Sequence, residues 1–148
     1  MAALEHVHPR LKEQARAQKR IDIMNEFFPD ASVSGWGSLE QSIDLPDPND
    51  AHVVAAAIAG RADVIITLNL KDFPPDTLRP LGLEAQTPDE FLLNQLDLDP
   101  DEVMQCLFRQ AQATRNPHIA VQELLKRLAN SGNNRFSVEA GKQLWRLT

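Results

Sequence analysis

Residues 45–74, LPDPNDAHVVAAAIAGRADVIITLNLKDFP, constrain the fold more than any other part of this chain. They read as loop, helix, strand and loop, with acidic or amide side chains at both ends of the unit. The Asp47-Pro48-Asn49-Asp50 cluster opens the helix, because Asp and Asn accept from free backbone N–H groups and Pro48 suits the opening turn. His52 to Ala59 carry the helix and Gly60 stops it. Ala62 to Leu68 then form a short apolar run rich in Val, Ile and Thr, which predicts a strand buried on both faces.

The lengths of these two elements decide what meets what. A helix of about ten residues runs about 15 Å, and a strand of about seven residues returns about 23 Å. Asn69 and Asp72, just past the strand, therefore come near the edge where Asp50 opens the helix. In open α/β sheets this carboxyl edge is where ligands sit.

On these residues the chain resembles the PIN-domain nucleases, which include the VapC-like toxins of bacterial toxin–antitoxin pairs. The resemblance is carried by Asp50 with His52-Val53-Val54-Ala55-Ala56-Ala57-Ile58, and by Ile65-Ile66-Thr67-Leu68-Asn69-Leu70-Lys71-Asp72-Phe73-Pro74. It continues through Gly82-Leu83-Glu84-Ala85 and Thr87-Pro88-Asp89-Glu90-Phe91-Leu92, so it spans roughly residues 20–96. The resemblance implies a metal-dependent endoribonuclease, in which carboxylates hold Mg²⁺ or Mn²⁺ and water attacks a phosphodiester. Hard divalent cations take oxygen ligands, and such an ion lowers the pKa of bound water. By that resemblance Asp50 and Asp72 are the metal ligands, and Asp50, Asp72 and Asn69 the catalytic group. Asn69 has the alternative of bonding its own backbone. Thr67 either contacts a metal-bound water or phosphate, or packs as an ordinary strand threonine.

One departure from the family pattern bears on activity. The family opens with an apolar strand ending in Asp, followed by a helix bearing Glu. These residues instead begin Met1-Ala2-Ala3-Leu4-Glu5-His6-Val7-His8-Pro9, with Glu5 near the expected position of the Glu. The expectation is an N-terminally truncated PIN-like sheet whose open slot a partner chain, a rearranged sheet, or a homo-oligomer formed by domain swap must fill. The second reading is a catalytically incomplete PIN fragment acting as a binding or assembly module. It follows because two carboxylates and an amide are sparse ligation.

Composition narrows the class. With 148 residues, 43% hydrophobic and 24% charged, the chain can bury one ordinary core. It has no membrane-length apolar stretch and no apolar signal core, so no membrane association is expected. The single Cys106 forbids an internal disulfide and fits a cytoplasmic location; its helical neighbours predict a packed thiol. A net charge of −6 argues against a general nucleic-acid coat, yet is compatible with an acidic metal site. Arg10, Lys12, Arg16, Lys19 and Arg20 crowd the first helix. Arg16 and Lys19 are candidates for RNA phosphate contacts, with a solvated face as the alternative. His6, His8 and His52 read as ordinary surface or packed histidines, and no cysteine cluster suggests zinc. An antitoxin protein is the further partner that the resemblance implies.

The fold class expected is α/β: a PIN-like parallel sheet flanked by helices, with an all-α C-terminal extension. Residues 1–98 form the PIN-like part and 99–148 the helical extension packed on it. The first helix runs from Pro9 to Phe28 with Ala17, Ile21, Met24 and Phe28 at core spacing. Ala31 to Ser34 and Leu81 to Ala85 are candidate short strands. Thr87-Pro88-Asp89-Glu90 and Asp99-Pro100-Asp101-Glu102 each start a helix, the second running to about Thr114. Two more helices are expected over Ile119 to Asn130 and Ser137 to Leu147.

Overall fold

Proline and a preceding acid or hydroxyl decide where the long helices begin. In a computed structural model that describes residues 9–114 and 117–147, α5 (Pro88–Leu98) starts on a complete capping box. The Thr87 hydroxyl accepts the Glu90 N–H at 3.2 Å, and the Glu90 carboxylate accepts the Thr87 N–H at 2.9 Å. The next helix, α6 (Pro100–Ala113), starts on Asp99, whose carboxylate accepts the Glu102 N–H at 2.9 Å. Two helices complete the C-terminal part, α7 (Val121–Asn130) and α8 (Asn134–Gly141), followed by a 3-10 turn at Leu144–Leu147. The last expected helix therefore starts earlier and breaks at Gly141.

The N-terminal part holds α1 (Pro9–Phe27), α2 (Gly37–Glu40), α3 (Ala51–Ala59), β1 (Val64–Ile66), α4 (Pro75–Leu78) and β2 (Glu84–Gln86). The two strands are parallel, pairing Val64 with Glu84, Ile65 with Ala85 and Ile66 with Gln86. Their ladder continues one bond each way, Thr67 N–H to the Gln86 carbonyl at 2.9 Å and Glu84 N–H to the Asp63 carbonyl at 3.0 Å. The architecture is thus mostly helical around a small parallel sheet, consistent with an α/β PIN-like fold carrying C-terminal helices. Among the described residues no helix is long and apolar enough to cross a membrane.

Burial falls into two clusters. Leu45, Val54, Ile65, Phe73, Leu78 and Leu83 form the core beneath the sheet. Leu96, Met104, Leu107, Leu124, Leu125 and Phe136 centre the second core, which Leu92 and Leu93 of α5 also join. Each fully buried large apolar side chain contributes about 1.5–3 kcal/mol. The first core fixes the loops around the strand ends, and those loops carry the candidate site.

Several expectations are corrected. The Ala62–Leu68 strand shortens to three residues and is not buried on both faces: Ile66 and Leu68 are exposed, Leu68 at 77%. Among the described residues β1 pairs only with β2, and nothing described covers Ile66 and Leu68. The segment 31–34 is not a strand; it follows a 3-10 turn at Pro29–Ala31. Ala17, Ile21, Met24 and Phe28 do not enter a core, since every described residue of α1 from 14 on is exposed and the helix packs chiefly on that adjoining turn. Cys106 is exposed rather than packed. It lies between Glu102 and Arg109, which approach its sulfur at 3.5 and 3.1 Å. The Arg109 guanidinium, then the Cys106 thiol, hold the Glu102 carboxyl below its ordinary range.

Candidate metal and nucleic-acid site

A 3-10 turn, Pro48–Asp50, leads directly into α3 and sets the first side of the site. Asp47 caps this turn, its Oδ1 accepting the Asn49 backbone N–H and the Asn49 side-chain N–H, both at 2.9 Å. Asp50 stands at the N-terminus of α3 and makes no side-chain capping bond. Asp47, just before the turn, and Asp50, at its end, bring carboxylate oxygens within 4.8 Å of each other.

The second side is built past the end of β1. The Thr67 hydroxyl accepts the Asn69 N–H at 3.0 Å, which turns the chain out of the strand. Leu70–Asp72 forms another 3-10 turn, anchored by Phe73, which is 5% exposed in the sheet core. The Asn69 side-chain amide donates to the Asp72 carboxylate.

Folding brings these two sides together. Asp47, Asp50 and Asp72 each offer a carboxylate oxygen, and the three oxygens lie within 4.8 Å of one another, all half-buried. The expected meeting of Asp50 with Asp72 and Asn69 is therefore present. Asp47 joins it, which the sequence reading treated only as a cap. Its spacing of three from Asp50, across Pro48, was the signal that could have found it.

The donor set suits a hard divalent ion. Magnesium binds oxygen at about 2.0–2.1 Å, so opposed ligands stand about 4.2 Å apart, and it usually keeps several waters beside one or two carboxylates. Oxygens within 4.8 Å need only small side-chain adjustment to meet that span. Manganese takes the same ligand types. Among the described residues no histidine or cysteine joins the group.

Other candidates lie elsewhere. Thr67 is half-buried and its hydroxyl is engaged by Asn69. His52 bonds the Asn49 carbonyl through Nδ1 at 2.6 Å and its ring stands 6.1 Å from that of Trp36, so it braces the turn. Arg16 and Lys19 are exposed on α1, with no hydrogen bond or ion pair to the acidic group. Glu5, His6 and His8 lie outside the described residues, as do the side chains of Arg10 and Lys12.

Comparison with known proteins matches two segments of the chain. A PIN domain family model matches residues 4–71, ending one residue before Asp72, and a VapC50 C-terminal domain model matches residues 88–141, the segment of α5 to α8. A Mycobacterium tuberculosis protein described as "Putative ribonuclease VapC50" is 43% identical over 79 residues, covering 53% of this chain and 47% of that relative. The matched segment thus spans about half the length of the relative. No solved structure matches the chain. The resemblance read over residues 20–96 extends in these comparisons toward both ends, and the C-terminal helices acquire a family of their own. Both matched segments, together with the small parallel sheet, support a PIN/VapC family relationship for this chain.

Proposed function

We propose that this protein is a VapC-type endoribonuclease that hydrolyses RNA phosphodiesters with Mg²⁺ or Mn²⁺ at Asp47, Asp50 and Asp72. The observation that carries the reading is the convergence of those three carboxylates from two loops within 4.8 Å. When bound there, a divalent ion supplies an acidified water and a charge to offset the phosphate. Asp50 and Asp72 provide direct oxygen ligands. Asn69 orients Asp72 through its amide, and the Asn49 bonds to one Asp47 oxygen fix that carboxylate's rotamer. Thr67 shapes the loop that presents Asn69. Arg16 and Lys19 meet the RNA backbone away from the reacting phosphate, as exposed cations on a mobile ligand's path would.

In this reading residues 1–98 carry the site and 99–148 form the helical extension. Their junction is α5, whose Asn94 bonds Gln86 of β2 at 3.2 Å. The location is cytoplasmic and an antitoxin protein is the partner that holds the activity in check. The exposed apolar residues of α1, among them Ile21, Met24 and Phe27, and the single-sided pairing of β1 favour a further surface for such a chain or for a second copy, including a domain swap. The incomplete-fragment reading rests on the same open sheet.

The test is incubation of the chain with single-stranded RNA and Mg²⁺ or Mn²⁺, beside the double variant Asp50→Ala, Asp72→Ala. Metal-dependent cleavage that the variant lacks supports the enzyme. Absence of cleavage with either ion leaves the binding-module reading in its place.

A further inference from the structure

The loop that presents Asp72 also forms the wall of a cavity. Leu70, Phe73, Pro75, Arg79, Leu83, Glu84 and Ala85 line a half-open cavity of about 260 Å³. Leu70 and Phe73, which line it, bracket the turn that carries Asp72. The cavity and the carboxylate cluster thus share one short segment, whose Phe73 is buried in the core.

Its chemistry is specific. The walls are apolar, while Arg79 and Glu84 supply one cation and one anion. Neither side chain makes a hydrogen bond or ion pair with another described residue. Ligand pockets for drug-sized molecules run about 300–1,000 Å³, so this smaller space suits one planar ring system. Single-stranded RNA is read by splaying out a base, packing its faces on apolar or aromatic groups, and bonding its edges.

We propose that this cavity takes one nucleobase of the RNA strand whose phosphate lies at the carboxylate cluster, with guanine preferred. Guanine presents acceptors at O6 and N7 for an arginine fork and N–H donors on its Watson–Crick edge for a carboxylate. Arg79 and Glu84 are the free partners of those two kinds. Uracil and cytosine offer smaller faces and lack the paired acceptors. The inference rests on the ribonuclease reading for its RNA ligand, and it adds base selectivity to that site.

The experiment measures binding separately from cleavage. Fluorescein-labelled RNA hexamers of uridine, unmodified or with one central G, A or C, are titrated with the full chain in Ca²⁺, which offsets the carboxylate charge, and followed by anisotropy. The expected result is at least fivefold tighter binding of the G-containing hexamer than of the uridine hexamer. Arg79→Ala and Glu84→Gln each bring that ratio toward one, and Leu70→Trp, which fills the cavity, abolishes it while circular dichroism stays unchanged. Equal binding of all four hexamers, or no binding, overturns the proposal, as does a preference that survives all three variants. Cleavage with Mn²⁺ is scored on the same RNAs. Base preference without cleavage refutes the ribonuclease reading and leaves the base pocket standing; cleavage without base preference does the reverse.

Discussion

Replacing Asp50 by Asn isolates the electrostatics of the acidic group, because Asp50 makes no capping bond that the substitution would break. Two unit charges 4.8 Å apart repel by about 0.9 kcal/mol at the dielectric of water, and by more where solvent is partly excluded. Asp50 faces two such neighbours, Asp47 and Asp72, so at low ionic strength the charge removed relieves about 1.7 kcal/mol, and less as salt screens it. A negative charge at a helix start is worth about 0.3–1 kcal/mol, which the variant gives up at α3. The net expectation is a metal-free variant about 1 kcal/mol more stable than the parent. In a chain of this length that is about 2–4 °C in Tm. The parent, by contrast, gains about 1.4 kcal/mol when Mg²⁺ stands at ten times its Kd, and the variant gains little. Urea unfolding in EDTA and across a Mg²⁺ series reads both effects. A variant that is less stable than the parent in EDTA, or a parent indifferent to Mg²⁺, refutes the reasoning.

Two further substitutions test how the site is supported. Thr87→Ala removes the capping box and should cost about 0.5–2 kcal/mol by denaturant unfolding. The Thr87 backbone and then its hydroxyl hold the Glu90 carboxyl below its ordinary value of 4.5, so the capping contribution is full above that pH and lost as pH falls through the lowered folded value. The variant should accordingly lose less stability than the parent between neutral and acid pH. Gly60→Ala places a Cβ 2.8 Å from Val33 Cγ2 and 3.1 Å from the Ala56 carbonyl oxygen. That crowding should cost about 1–3 kcal/mol, and Val33→Ala in the same chain should recover part of it.

The parts of the fold that could be read from residues alone were those set by local chemistry. Pro88, Pro100 and their capping acids place α5 and α6 within a residue or two, and the Asp47–Asp50 cluster opens α3 as expected. The return of the strand likewise brings Asp72 to Asp50, since helix rise and strand rise are fixed quantities. What escaped was set by tertiary contact. The apolar spacing of Ile21, Met24 and Phe28 predicts a buried face, but a face needs an opposing surface, and none of the described residues supplies one. The run at 62–68 has strand composition throughout, yet ladder bonds to β2 reach only from Asp63 to Thr67. Asp47 reads as a cap, and its spacing of three from Asp50 places it beside that residue without showing that a third carboxylate joins them. That depends on where Asp72 returns.

The most direct test of the central claim is Mn²⁺ binding by electron paramagnetic resonance, comparing the chain with Asp47→Asn, Asp50→Asn and Asp72→Asn. The account predicts saturable binding in the parent that weakens at least tenfold in each variant, with circular dichroism unchanged. Binding equally strong in all three variants, or none in the parent, would contradict it.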